Sequence, residues 1–177
     1  MKLNGRLIEI ELGYFRVGPK PRGSDWLEVD IRALRHEGIT FVVSLLTEQE
    51  NQELGLADEE SACRRNGMDF YSFPIVDRSI PESRLDFETL AEHLLGRIKK
   101  GERGLFHCRA GLGRAPLLGC TILSKAGMTP ENAWKMLATS RGQPVPDTQA
   151  QRGWVRASQQ SFASLDDALS KLLDNDN

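Results

Sequence analysis

The chain has 177 residues, of which 40% are hydrophobic and 27% charged, with a formal net charge of −2, which suits one soluble globular domain with a real core. That charge balance provides no global basic field to recruit nucleic acid or an anionic membrane surface. The three cysteines, Cys63, Cys108 and Cys120, form no framework spacing, CxxC pair or Cys/His cluster, so the expectation is a protein without metal or cofactor, working reduced in the cytoplasm.

The N-terminus, Met1 to Glu11, lacks the apolar core of a signal peptide, and no stretch is apolar enough for a membrane span. Leu7 to Leu12 alternates as a strand does, and Tyr14 to Val17 reads as a short partner strand between glycines. Ser24 or Asp25 is placed to cap a helix carrying Trp26, Leu27, Val29, Ile31 and Leu34, which Gly38 stops. Ile39 to Leu46 is nearly all apolar, as in a strand buried on both faces of a parallel sheet. Thr47 to Leu54 reads as a turn or short helix, Asp58 to Asn66 as a helix ended by Gly67, and Met68 to Phe73 as a strand that stops at Pro74. Residues 75–83 form a loop between prolines. Arg84 to Lys100 is a helix with an apolar stripe at Leu90, Leu94 and Ile98.

Gly104-Leu105-Phe106 then leads into His107-Cys108-Arg109-Ala110-Gly111-Leu112-Gly113-Arg114, and Ala115 to Ala126 reads as a buried helix. Thr129-Pro130-Glu131 opens another helix to about Arg141, residues 142–146 break it, and Asp147 or Thr148 caps the next. Ser161 to Leu173 has an amphipathic helical pattern, and residues 174–177 are expected to fray. There is no repeat, linker or second domain. Strands alternating with helices imply an α/β layer fold, with its ligand loop at the carboxyl end of a central strand.

The chemistry concentrates in residues 107–114. A helix N-terminus gathers unpaired N–H groups and the positive end of the helix dipole, which together bind an anion. Gly111 and Gly113 let the backbone wrap such an anion closely. Arg114 is able to grip two phosphate oxygens at once. Cys108 opens the same loop, where that field favours a thiolate nucleophile. A nucleophile inside an oxyanion cradle is what phosphoryl transfer through a cysteinyl-phosphate requires. An alkoxide leaves poorly, so a proton donor is needed too. Asp77, in the proline-bounded loop, is the candidate acid, with Glu82 and Asp86 as fallbacks at the entry of the following helix.

The run His-Cys, five residues, Arg is the signature of the cysteine-based phosphatases. From about Pro21 to Val155 the chain resembles the small dual-specificity and tyrosine phosphatases, bacterial members similar to kinase-associated phosphatase above all. The resemblance implies a single α/β domain with a central, mostly parallel sheet of four or five strands flanked by helices. It places the phosphate-binding loop, Arg109-Ala110-Gly111-Leu112-Gly113-Arg114, between a strand and a helix. It makes Cys108 the nucleophile, Arg114 the phosphate clamp and Asp77 the general acid, and gives His107 a supporting role beside the nucleophile. Gln151 stands where relatives carry a polar group facing the loop. Arg109 varies within the family and usually turns away from phosphate, though it is also placed to bias the entrance towards polyanions. Cys63 and Cys120 read as inert packing thiols. One position departs from the family: most relatives have Ser or Thr directly after the signature Arg, where this chain has Ala115. Losing that charge-assisted hydrogen bond to the departing thiolate costs roughly 1.5–3 kcal/mol, a slowing of phospho-enzyme hydrolysis of about ten- to a hundred-fold.

The leading reading is a hydrolase for phosphotyrosine in proteins, extending to phosphoserine and phosphothreonine. A phosphoinositide or other small phosphate ester is the second, and a phosphoprotein-binding pseudophosphatase marked by Ala115 the third. The implied partner is a phosphorylated protein. The sequence implies neither nucleic acid nor stable membrane insertion and carries no sign of oligomeric state.

Overall fold

The computed structural model describes residues 7–10 and 13–156. The expected amphipathic helix at 161–173 and the terminal residues 174–177 lie outside the described residues. Five strands, β1 (Leu7–Ile10), β2 (Gly13–Pro19), β3 (Phe41–Ser44), β4 (Asp69–Ser72) and β5 (Arg103–Cys108), form one sheet in the order β1-β2-β5-β3-β4. The pairs β2–β5, β5–β3 and β3–β4 are parallel, and β1 joins the edge antiparallel to β2.

The helices are α1 (Leu27–His36), α2 (Glu48–Glu53), α3 (Glu59–Arg65), α4 (Arg84–Lys99), α5 (Arg114–Lys125) and α6 (Pro130–Arg141), and residues 149–156 are also helical. Alternation along the inner strands sends side chains into two cores. Phe15, Val17, Phe41, Val43, Phe106 and Cys108 face α4, α5 and α6, whereas Val42 and Leu105 face α1 and α3. Burial on both faces explains why β3 is a continuous apolar run. α5 is buried from Arg114 to Leu123 because it lies between α4, α6 and the sheet.

Local signals account for most boundaries. Thr47 and Glu50 form a reciprocal capping box that starts α2. Ser83 caps α4 and Thr129 caps α6, followed by Pro130 at its first position. At α1 the structure differs from expectation. Ser24, with φ +53, and Asp25 belong to a 3₁₀ turn over Ser24–Trp26, and α1 begins without a side-chain cap. Trp26 and Val29 are exposed, and Asp30 is buried instead, with Arg22 Nε and backbone N–H donating to its carboxylate. In α4 the buried stripe is Phe87, Ala91, Leu94, Leu95 and Ile98, and Leu90 is only partly covered.

Strand register places the site. Ser44 pairs with both Ser72 and His107, and Pro19 pairs with Cys108. Four parallel strands therefore end side by side, and the segments that follow them open at one edge, as in other open parallel sheets. The segment after β3 carries Glu50, that after β4 carries Asp77, and that after β5 carries Arg114.

Candidate active site

Cys108 is the last residue of β5 and is 3% exposed. The loop from Arg109 to Gly113 follows it, and α5 starts at Arg114. Gly111 has φ +72, and a Cβ there would lie 2.3 Å from the carbonyl carbon of Gly18. Both conditions exclude a side chain. The amides of residues 109–113 find no acceptor among the described residues. They remain available to an anion, next to the positive end of α5.

Arg114 is the largest fully buried side chain among the described residues, 1% exposed. Its Nη1 donates to Glu50 Oε2 at 2.6 Å and to the carbonyl of Ile75 at 2.8 Å, and its Nη2 donates to Glu50 Oε1 at 2.9 Å. The second Nη2 contact is Asp77 Oδ1 at 2.8 Å, and Nε finds no partner among the described residues. Glu50 thus holds one edge of the guanidinium. The other edge, Nε and Nη2, carries a free donor and one that Asp77 shares, which is the fork a phosphate needs. Burial pushes the Glu50 carboxyl up, but hydrogen bonds from Arg114, the Thr47 N–H and Arg109 outweigh it and hold the group at about 2. Burial pulls the Arg114 pKa down, and Glu50, Cys108 and Asp77 reverse this and raise it.

The residues singled out from the sequence separate into those that converge and those that do not. Cys108, Arg114 and the loop residues Ala110, Gly111, Leu112 and Gly113 are contiguous. Asp77 joins them through Arg114, and its side chain is half-exposed at the mouth. Gln151 is fully buried; its Nε2 donates to the Ser79 carbonyl at 2.9 Å and lies against Gly113. It ties the Asp77 loop to the helical segment 149–156, which Trp154 anchors edge-on to Phe87 at 5.2 Å. Burying a ring of that kind stabilises by roughly 1.5–3 kcal/mol.

Ala115 is buried in the core cluster that contains Cys108. Arg109 turns to α2, its Nε 3.3 Å from Glu50 Oε1 and its Nη2 3.2 Å from Glu53 Oε2. His107 faces away from Cys108, towards the α1–α3 side, with Nε2 2.9 Å from Glu59 Oε1. The contact is one of proximity: the side-chain nitrogens of His107 and both carboxylate oxygens of Glu59 complete no hydrogen bond among the described residues. Glu82 and Asp86 are exposed, and the Asp86 N–H donates to the capping Ser83. Burial pushes the thiols of Cys63 and Cys120 up, so both are held protonated.

Three further side chains belong to the site. Glu50 had a sequence signal, because Thr-x-x-Glu marks a capping box, but nothing local showed that its carboxylate also reaches Arg114. Arg141, at the end of α6, donates from Nε to the Gly111 carbonyl at 3.0 Å and from Nη2 to the Ala110 carbonyl at 3.2 Å. It pins the back of the loop. Burial lowers its pKa, and the Cys108 charge acts in the opposite direction. Asp147 lies against Gly113, where a Cβ would meet its Oδ1 at 2.2 Å.

Among solved structures the chain is similar to kinase associated phosphatase with its catalytic cysteine replaced by serine. The two share 19% identity over 92% of this chain and 98% of the other, with a TM-score of 0.80. Tk-PTP in its active form matches at 22% identity, 89% and 97% coverage and a TM-score of 0.70. PTPMT1 in complex with PI(5)P matches at 16%, 89% and 97%, with a TM-score of 0.72. No family model matches the chain, and no curated protein does. The likenesses show the fold, an α/β cysteine-phosphatase fold of the dual-specificity and tyrosine phosphatase type.

Proposed function

We propose that the chain is a phosphoric monoester hydrolase acting on phosphotyrosine in proteins, and on phosphoserine and phosphothreonine, through a cysteinyl-phosphate. The carrying observation is the buried Arg114. Glu50 fixes one edge of it while the other has Nε unpartnered among the described residues and Nη2 shared with Asp77.

The geometry supports the following sequence. The phosphoryl oxygens bind the loop amides and the Nε–Nη2 edge of Arg114, displacing Asp77 Oδ1 from Nη2. Cys108 Sγ attacks phosphorus in line with the leaving oxygen. Asp77, released at the mouth, takes a proton from solvent and passes it to that oxygen as the P–O bond breaks. Water then hydrolyses the thiophosphate ester and returns the Cys108 thiolate.

Arg109 bears on the choice of substrate. It is the only cation within the loop besides the clamp, and it is spent on Glu50 and Glu53 rather than presented to ligand. That favours a singly phosphorylated side chain over a polyanionic headgroup, although one solved neighbour holds PI(5)P.

The test is phosphate release from a phosphotyrosine peptide, a phosphothreonine peptide and PI(5)P, side by side, with Cys108→Ser as the blank. Preference for the peptides supports the reading. Preference for the lipid replaces the substrate class. Peptide binding without release makes the chain a pseudophosphatase.

A further inference from the structure

Arg78 stands next to the proposed proton donor in a backbone conformation that arginine disfavours. Its φ is +59, in the left-handed region that glycine enters freely. The Ser79 N–H donates to the Val76 carbonyl at 3.0 Å and closes a turn with Asp77 and Arg78 at its centre. The turn is tied on both sides. Arg114 Nη1 donates to the Ile75 carbonyl at 2.8 Å, and Gln151 Nε2 donates to the Ser79 carbonyl at 2.9 Å. The fold therefore fixes Arg78 at the mouth of the site, one residue from Asp77.

The Arg78 side chain has no structural task there. Its one charged contact among the described residues is Asp147 Oδ2, 3.9 Å from Nη1, and the side chain is two-thirds exposed. Such a pair is weak and gives way readily. The contact does show where the guanidinium lies. Asp147 Oδ1 packs against Gly113, where a Cβ would meet it at 2.2 Å, so Arg78 reaches across the rim towards the phosphate loop. Other cations at the loop are engaged: Arg109 lies against Glu50 and Glu53, and Arg141 donates to the carbonyls of Ala110 and Gly111. Beside this free cation the same turn leaves apolar surface uncovered, with Val76 62% and Ile80 37% exposed. Apolar side chains next to a cation suit a polypeptide better than an inositol phosphate headgroup, which has no apolar side chain to cover them.

We infer that Arg78 is a specificity-determining residue that binds an acidic side chain next to the phosphorylated residue of a polypeptide substrate. The inference rests on the phosphatase reading given above and narrows its substrate class. With phosphate in the loop and its ester oxygen at Asp77, the polypeptide passes over the rim that carries Arg78. Consecutive residues are about 3.8 Å apart, so a neighbouring Asp or Glu comes within reach of the guanidinium. It takes the place of Asp147 there and pairs with the fork of Arg78. Asp147 itself repels an acidic side chain, so the charge on Arg78 decides the sign of the preference.

The experiment compares kcat/KM for phosphotyrosine peptides carrying Glu, Ala or Lys directly before or directly after the phosphotyrosine, with wild type, Arg78→Gln and Arg78→Glu. Ratios between peptides are taken within each enzyme, so a general loss of activity cancels. Wild type is expected to prefer Glu over Ala by about two- to five-fold in at least one series, the range of an exposed ion pair, with Lys the poorest. The preference should shrink at high salt. Arg78→Gln should bring the Glu/Ala ratio close to one, and Arg78→Glu should reverse the order in favour of Lys, which a merely structural role would not do. No preference for Glu by wild type in either series overturns the inference, and so does a preference that survives in Arg78→Gln. Faster release from PI(5)P than from any peptide, lost in Arg78→Gln, would assign Arg78 to a headgroup and overturn it as well. If wild type shows no release that Cys108→Ser abolishes, the phosphatase reading itself fails and the inference goes with it.

Discussion

Asp77 Oδ1 and Arg114 Nη2 meet at 2.8 Å across 37 residues of sequence. The proposed proton donor is thereby parked on the donor that substrate phosphate needs. Phosphate binding and release of the acid become one event, because the incoming oxygen and the carboxylate compete for the same N–H.

Replacing Asp77 by Asn should therefore separate two effects. Proton donation is lost, and for a poor leaving group such as an alkyl alcohol the rate of the first step should fall by about 10²–10⁴-fold. For p-nitrophenyl phosphate, whose leaving group needs little protonation, the fall should be much smaller. Rates across a series of leaving groups check this. Equal losses for all of them would remove Asp77 from the role.

Glu50 makes the Arg114 fork rigid. Glu50→Gln leaves a buried guanidinium with an uncharged partner, and breaking a buried pair costs roughly 3–5 kcal/mol. The expected outcome is a clear loss of stability in urea unfolding together with a drop in kcat/KM of at least ten-fold. Glu53→Gln, whose side chain meets only the exposed groups of Arg109 and Gln49 among the described residues, should do neither.

The same pair sets an acid limit. Folded Glu50 lies at about 2, below its ordinary 4.5, so it adds stability that is fully present above pH 4.5 and is lost as pH falls towards 2. The contribution is of the order of 3 kcal/mol. Urea midpoints measured from pH 6 down to pH 2.5 should converge for wild type and Glu50→Gln as the carboxylate is protonated. Curves that stay parallel would contradict this account.

Ala115 predicts a slow second step. Ala115→Ser restores a hydroxyl beside the departing thiolate and should raise kcat by about ten- to a hundred-fold while leaving the burst rate nearly unchanged. No gain in kcat would mean that the departure from the family is silent.

The three thiols should differ in reactivity. Burial keeps Cys63 and Cys120 protonated, so iodoacetate is expected to label the folded protein at Cys108 alone, and inorganic phosphate should protect it. Mass mapping after brief labelling decides the point.

The sequence alone determined what lies within one local segment. Strand, loop and helix around Cys108 follow from an apolar run, two glycines and the helix after them, because anion binding by backbone amides needs only contiguous residues. Prolines around Asp77 were legible for the same reason, whereas the reading of Thr47 to Leu54 as a turn or short helix passed over the local capping pair of Thr47 and Glu50. The cap of α1 was not, since Asp30 is drawn inward by Arg22 from outside the helix. His107 showed only its place beside Cys108; its pairing with Glu59 depends on which face of β5 it occupies. Tertiary structure decided the rest of the site. Glu50, Asp77, Arg141 and the pair Asp147 and Gln151 reach the loop from four separate segments. Their meeting depends on the register that sets Ser44 beside both His107 and Ser72. Register is a property of strands paired across the sheet, and a shift of one residue would turn each side chain to the opposite face. No spacing along a single segment records it.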